Sequence, residues 1–135
     1  MIPEPEWTSW SEIKELIDTS GSTRLLVVCV GDRWDPVSLH TCSILYHIHQ
    51  SNRLPFSNLY LSDRSNSQSL LHTYQVFATP AVFFFFNGNL LQIRRRDCQE
   101  AACVIASIDE DRWIEILRYA RDVGINNGTY LQIDL

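Results

Sequence analysis

The sequence lacks any apolar segment long enough to cross a membrane as a helix. Even the run from Ala81 to Phe86 is far shorter than the roughly 20 apolar residues that a spanning helix needs. The first residues, Met1 to Glu6, contain acidic side chains and prolines, where a secretory signal has positive charge followed by an apolar stretch. We therefore expect a protein that stays inside the cell and has no membrane segment.

Positive charge is also scarce. The chain has 11 basic and 16 acidic side chains, so its formal net charge is −5. Proteins that bind mainly to the nucleic-acid backbone need a surplus of positive charge. The composition therefore favours a protein partner, with any RNA contact minor or indirect. A length of 135 residues predicts one domain with its own core.

Cysteines are few, and their spacing favours neither a disulfide framework nor a zinc site. A chain without a secretory signal is expected in a reducing compartment, so we predict free thiols. Cys29 lies in an apolar run and would act as a small hydrophobe. Cys98 and Cys103 lack the close paired spacing of zinc ligands. The four cysteines are Cys29, Cys42, Cys98 and Cys103. We predict that they bind no metal and that the protein has no cofactor.

The segment from Leu25 to Leu39 predicts a strand, a tight turn and a helix. Six successive apolar residues, Leu25 to Val30, are typical of a strand that is buried on both faces. Gly31 and Asp32 end this run. The pair Asp35-Pro36 then predicts a helix start, because a carboxylate caps free backbone N–H groups and proline is well tolerated at the first helical position.

The first half of the chain predicts a helix followed by a βαβ unit. A capping-box pattern predicts a first helix from about Ser9 to Asp18. Apolar residues at helical spacing continue after Pro36, and the segment from Phe56 to Leu61 is interpreted as a second strand. Strands joined in this way run parallel.

The second half predicts a helix, an antiparallel hairpin and a closing helix. A third helix would bury residues at helical spacing: Leu70, Leu71, Tyr74 and Phe77. The strand from Ala81 to Phe86 leads into the hairpin turn Asn87-Gly88, with a return through Leu90, Leu91 and Ile93. The closing helix begins at acidic residues 109–111 and is expected to end at Gly124 as its cap. Residues 125–135 show no clear period and are expected to form an irregular tail.

This order of elements resembles the thioredoxin fold. Two features carry the resemblance: Trp34 before the second helix, and Thr79-Pro80 before the hairpin. The fold class implied is α/β, with a central four-stranded mixed sheet built from a βαβ unit and a C-terminal ββα unit, flanked by helices and extended by the N-terminal helix. The single domain, residues 1–135, would have its core at about residues 7–124. In thioredoxins the equivalent proline is cis, so we expect a cis bond before Pro80.

The residues at the redox positions differ from those of thioredoxins. Asp35 stands where thioredoxins have the attacking cysteine, and Ser38 stands where they have the resolving cysteine. Disulfide exchange needs a thiolate to attack and a second thiol to resolve the intermediate, and neither residue supplies one. We therefore predict no catalytic residue and no enzymatic activity, with Asp35 and Pro36 serving as a helix start.

Trp34-Asp35-Pro36 in a thioredoxin-like chain is similar to the Dim family of spliceosomal proteins, whose best-known member belongs to the U5 snRNP. The most specific segments are Gly31 to Leu39, Ile44 to Tyr46, and Phe83 to Phe86. Family members commonly have a cysteine at the position of Ser38 and a longer, more basic C-terminal tail. The chain is thus identified as a divergent member, and its paralogue stays open.

The resemblance implies a redox-inactive scaffold protein of the nucleus that acts in pre-mRNA splicing. It would be a component of the U5 snRNP, within the U4/U6.U5 tri-snRNP, and would contact the large central scaffold protein and assembly factors. No membrane and no small-molecule substrate are implied. Trp34 is a candidate partner anchor or a half-buried wall of the fold. Arg94, Arg95 and Arg96 are candidate contacts for an acidic partner or simply a solvated strand end.

Two other functions remain open at this point. A residual thiol oxidoreductase would use one of the four cysteines, and Cys98 beside the three arginines is the setting that could lower a thiol pKa. A redox-inactive thioredoxin-like adaptor outside the spliceosome is the second.

Overall fold

The computed structural model describes residues 7–19, 24–97 and 99–134. Two sheets are formed there, flanked by α-helices. Along the chain the elements are α1 (Trp10–Thr19), β1 (Leu25–Gly31), α2 (Pro36–Gln50), β2 (Ser57–Asp63), a 3₁₀ turn (Arg64–Asn66), α3 (Gln68–Thr73), β3 (Ala81–Phe86), β4 (Asn89–Leu90), β5 (Gln92–Arg94), β6 (Glu100–Ala101), α4 (Glu110–Ile125) and β7 (Tyr130–Gln132). Of the helices in these ranges, none combines the length and hydropathy needed to cross a bilayer.

The strand β1 is the centre of the larger sheet. The strand order is β2-β1-β3-β4, with β1 parallel to β2 and antiparallel to β3. All seven residues of β1 are buried. The four-stranded mixed sheet and the βαβ unit predicted from the sequence are therefore confirmed.

The two faces of β1 belong to two separate core clusters, because successive side chains of a strand point to opposite faces. Leu25, Val27 and Cys29 pack with residues of α2 and α4, including the fully buried Trp113. The alternate residues Leu26, Val28 and Val30 pack with α1 and α3. The unbroken apolar run in β1 thus reflects helices on both faces of the sheet.

The hairpin after β3 is shorter than predicted. β4 pairs with β3 at only two positions, Phe85 with Leu90 and Phe86 with Asn89. Ile93 lies in β5, the middle strand of a second sheet with the order β6-β5-β7. The prediction that the return strand continues through Ile93 was wrong, because Ile93 pairs with Leu131 of β7 instead.

The C-terminal segment is ordered, which corrects the prediction of an irregular tail. β7 runs parallel to β5. The side chains of residues 130–133 point alternately to solvent and to the core. Leu131 and Ile133 are 0% and 3% exposed and belong to the same cluster as Trp113. The core therefore extends beyond residue 124.

The third helix and the role of Gly124 also differ from the predictions. α3 ends at Thr73, so Tyr74 and Phe77 lie outside it. Gly124 lies within α4, whose C-cap is Asn126. Its role is close packing, since an added Cβ would lie 2.4 Å from Cγ of Phe86.

Candidate functional site

The start of α2 is a capped helix end at the position of a thioredoxin redox pair. Asp35 is the N-cap, and its Oδ1 accepts a hydrogen bond from the backbone N–H of Val37 at 3.3 Å. Pro36 opens the helix. Ser38 is fully buried, and its Oγ lies 3.2 Å from Oδ2 of Asp35. The carboxylate therefore satisfies groups of its own helix, as the cap interpretation of Asp35 and Pro36 requires.

The loop before β3 contacts this helix start. The peptide bond between Thr79 and Pro80 is cis, the conformation that the resemblance implied. Oγ of Ser38 lies 3.3 Å from Oγ1 of Thr79. One hydroxyl group thus bridges the first turn of α2 and the residue before Pro80, in a place where two thiols would be needed for redox chemistry.

The thiols of the described residues are poorly suited to disulfide exchange. Cys29 and Cys42 are both 0% exposed, with their Sγ atoms 3.3 Å apart. The contact with Cys42, together with burial, raises the pKa of Cys29 well above its usual value. Burial raises the pKa of Cys103 to about 12. Because the thiolate is the reactive form, neither Cys29 nor Cys103 supplies a nucleophile near neutral pH. Cys42 is fully buried and out of reach of a substrate, and Cys98 lies outside the described residues.

Trp34 projects almost completely into solvent, with 90% of its surface exposed. The turn that carries Trp34 is held by hydrogen bonds. The backbone N–H of Trp34 donates to Oδ1 of Asp32 at 3.0 Å. The backbone N–H of Asp35 donates to the Asp32 carbonyl, also at 3.0 Å. The interpretation of Trp34 as a half-buried wall was therefore wrong, and the indole ring is available to a partner.

The three arginines that follow Ile93 have different surroundings. Nη2 of Arg94 lies 3.1 Å from Oε1 of Glu100, and its guanidinium lies 3.9 Å from the centre of the Tyr130 ring. Nε of Arg96 lies 3.1 Å from Oδ2 of Asp134. Arg94 thus links β5 to β6 and β7, whereas Arg96 pairs with Asp134 but keeps 89% of its side chain exposed, as the interpretation of a solvated strand end expects. Arg95 is exposed.

Phe77 is a surface residue, contrary to the prediction from its helical spacing. Its side chain is 79% exposed, and a groove lies on each side of it, with volumes of about 490 and 400 Å³. Helical spacing had placed Phe77 on the buried face of α3. The signal that could have identified it is its position directly before Ala78-Thr79-Pro80, where the chain must leave any helix. Elsewhere in the described ranges, no cluster of three or more histidine, cysteine or acidic side chains is arranged to hold a metal ion.

Solved structures with the same fold are thioredoxins and a related protein. The thioredoxin of Malassezia sympodialis is 14% identical, with a TM-score of 0.61 over 90% of this chain and 96% of that one. Fasciola hepatica thioredoxin is 17% identical, with a TM-score of 0.56 over 80% and 90%. Trxlp from Edwardsiella tarda is 14% identical, with a TM-score of 0.60 over 82% and 95%. At these identities the likeness shows a thioredoxin-like fold alone.

The sequence of residues 5–126 matches the family described as mitosis protein DIM1. The chain belongs to the DIM1 family. This is the thioredoxin-like spliceosomal family that the sequence resembles, so that resemblance is confirmed. No curated protein sequence matches the chain significantly. Within this DIM1-family chain, the helix start at Asp35 and the Thr79-Pro80 loop meet through Ser38 and form the candidate site. Trp34 and Phe77 are exposed rings close to these two segments in the sequence.

Proposed function

We propose that this DIM1-family protein is a non-catalytic scaffold of the spliceosome. It is a nuclear component of the U5 snRNP, within the U4/U6.U5 tri-snRNP, and acts in pre-mRNA splicing through protein–protein contacts. Its partners are the large central scaffold protein of the U5 snRNP and neighbouring assembly factors, and any RNA contact is minor. Membership in the DIM1 family supports this proposal.

The observation that carries the non-catalytic part is the hydrogen bonding of Asp35 and Ser38. The two side chains bond to each other, and they also reach the helix backbone and Thr79. Neither a carboxylate nor a hydroxyl group at these positions can form or break a disulfide. The burial of Cys29, Cys42 and Cys103 further weakens the alternative of a residual oxidoreductase.

Trp34 supports the scaffold part of the proposal. An exposed tryptophan on a hydrogen-bonded turn is typical of the anchor residues that dominate protein–protein interfaces. Val37, the second residue of α2, is 50% exposed and adds apolar surface close by in the chain. Arg95 remains a candidate contact for an acidic group.

The splicing role is tested by affinity purification of the tagged protein from its own cells, with RNA sequencing and mass spectrometry of the copurifying material. Recovery of U5 RNA together with the large scaffold protein is expected. Trp34→Ala should reduce this recovery, whereas Ile125→Ala, which removes an apolar side chain that is 47% exposed, should not. Absence of both U5 RNA and the large scaffold protein would contradict the splicing role.

Insulin reduction in the presence of dithiothreitol tests the non-catalytic role. No turnover above the background of dithiothreitol is expected. Turnover that disappears in Cys98→Ser would show that the protein retains thiol chemistry and would contradict a scaffold-only function.

A further inference from the structure

Phe77 is exposed although the loop that carries it is firmly held. The backbone N–H of Val76 donates to the carbonyl of Leu71 at 2.9 Å. From the other side, Nη2 of Arg64 donates to the carbonyl of Phe77 itself at 3.2 Å. The ring therefore projects from a fixed backbone, so a partner that covers it would not first have to order the loop.

Phe77 lines both grooves, so its ring forms a ridge between them. Val76 and Phe77 line both grooves. The first also contains Leu71 of α3. The second contains Ile105, which is 46% exposed. Two neighbouring depressions suit an extended peptide, in which side chains two residues apart point to the same side at a spacing of roughly 7 Å.

Positive charges predominate along the grooves, although the whole chain carries a net charge of −5. Arg64 lines the first groove, and Arg95 lines the second. Neither arginine has an ion-pair partner among the described residues. Glu100 is the one acidic residue among the lining residues described, and Arg94 already pairs with it. The grooves therefore present unpaired positive charge on either side of an apolar ridge.

We propose that this surface, defined by Phe77 and the two grooves beside it, binds an extended acidic segment of a partner protein. Two apolar side chains of the segment occupy the grooves, and its carboxylates face Arg64 and Arg95. Complementary charge across an interface favours this partner chemistry over a basic or neutral segment. The proposal rests on the proposed scaffold function and specifies the chemistry of one of its partners.

A random dodecapeptide library displayed on phage, selected against the immobilised full-length chain, tests the proposal. Selected peptides should be enriched in aspartate or glutamate and should carry two apolar residues at alternate positions. Fluorescence polarisation with a selected peptide then measures the effect of each variant. Phe77→Ala should weaken binding about tenfold or more, because central aromatic residues dominate such interfaces.

Charge-reversed variants test the electrostatic part. Arg95→Glu should weaken binding several-fold and reduce its dependence on salt. Since Arg64 also holds the backbone of Phe77, Arg95→Glu is the cleaner variant. Arg118→Glu, at an exposed position of α4, is the matched control and should leave binding unchanged.

Several outcomes would overturn the proposal. These are a failure to enrich acidic peptides, selection of basic or uncharged peptides, or equal binding to the wild type and Phe77→Ala. Binding of a 20-nucleotide uridine RNA that depends on Phe77 would reassign the surface to nucleic acid. A dimer in sedimentation equilibrium that Phe77→Ala converts to a monomer would reassign it to a second copy of the chain.

The same variants separate this proposal from the proposed function. If U5 RNA copurifies with the wild type and no acidic peptide is selected, the docking proposal fails while the splicing role stands. If acidic peptides bind at Phe77 but U5 RNA does not copurify, the docking surface stands and the splicing role fails.

Discussion

Replacing Gly124 by alanine should destabilise the protein, although the residue lies in a helix. The added Cβ would lie 2.4, 2.6 and 2.9 Å from three ring atoms of Phe86. Real contacts of this kind are longer than 3.0 Å, so the ring or α4 must move. The affected atoms include Cγ of Phe86, which is fixed close to its own backbone and cannot swing away easily.

Two opposing free-energy terms determine the size of the effect. Overpacking of a well-packed site typically lowers the free energy of unfolding by about 1 to 3 kcal/mol. Replacing glycine by alanine in a helix raises it by up to about 1 kcal/mol. Because three ring atoms of Phe86 lie within 3.0 Å of the added Cβ, we expect an overpacking cost in the upper part of that range, about 2 to 3 kcal/mol. The net loss should therefore be about 1 to 2 kcal/mol. For a chain of 135 residues, this lowers Tm by roughly 3 to 7 °C.

A double-mutant cycle with Phe86→Ala tests the cause of this loss. Urea unfolding followed by far-UV circular dichroism gives the free energy of unfolding for the wild type, both single variants and the double variant. In the Phe86→Ala background the clash is absent, so Gly124→Ala should be neutral or stabilising. Equal destabilisation in both backgrounds, or a Gly124→Ala variant as stable as the wild type, would refute the packing argument.

Three further predictions concern the core, the helix cap and the response to pH. Leu131→Ala should lower the free energy of unfolding in urea by about 2 to 4 kcal/mol, because this side chain of β7 is fully buried; the exposed Gln132→Ala is the control. Asp35→Ala should lower it by about 1 kcal/mol, whereas Asp35→Asn should keep most of the stability because its amide oxygen still accepts a hydrogen bond. Burial lowers the pKa of His49 from 6.5, so the unfolded chain binds a proton more readily than the folded one and stability should fall as the pH drops through about 6.5. This fall should be smaller in His49→Gln, measured by urea unfolding at a series of pH values.

The main sheet and its flanking helices could be predicted from the sequence because local signals and tertiary packing agree there. The apolar run from Leu25 to Val30 is buried on both faces. Asp35 and Pro36 start α2 with the expected cap, and Asp109 caps α4 in the same way. Each of these signals arises within a few residues and needs no knowledge of distant contacts.

The second sheet could not be predicted because it depends on distant pairings of very short segments. β6 has only two residues, and β7 has only three. The alternation of Tyr130, Leu131, Gln132 and Ile133 is too short to distinguish a strand from an irregular segment. The burial of Leu131 and Ile133 depends on the parallel pairing of β7 with β5, about 40 residues earlier in the chain.

The candidate site was predicted only in part for a similar reason. The exchange of redox cysteines for Asp35 and Ser38 is visible in the sequence, because it depends on residue identity at two positions. The exposure of Phe77 was missed, because it depends on where α3 ends. The ion pairs of Arg94 and Arg96 could not be predicted either. Their partners, Glu100 and Asp134, come close to them only when the second sheet has formed.

The central position of β1 has a consequence for how different parts of the molecule open. Its amides bond to strands on both sides and lie under helices on both faces, so their hydrogen exchange requires unfolding of the whole domain. The elements beside Phe77 are the six-residue α3 and the two-residue β6, whose few backbone bonds open in local fluctuations. A partner bound at the proposed docking surface should therefore slow exchange in these two short elements and leave exchange in the central sheet unchanged.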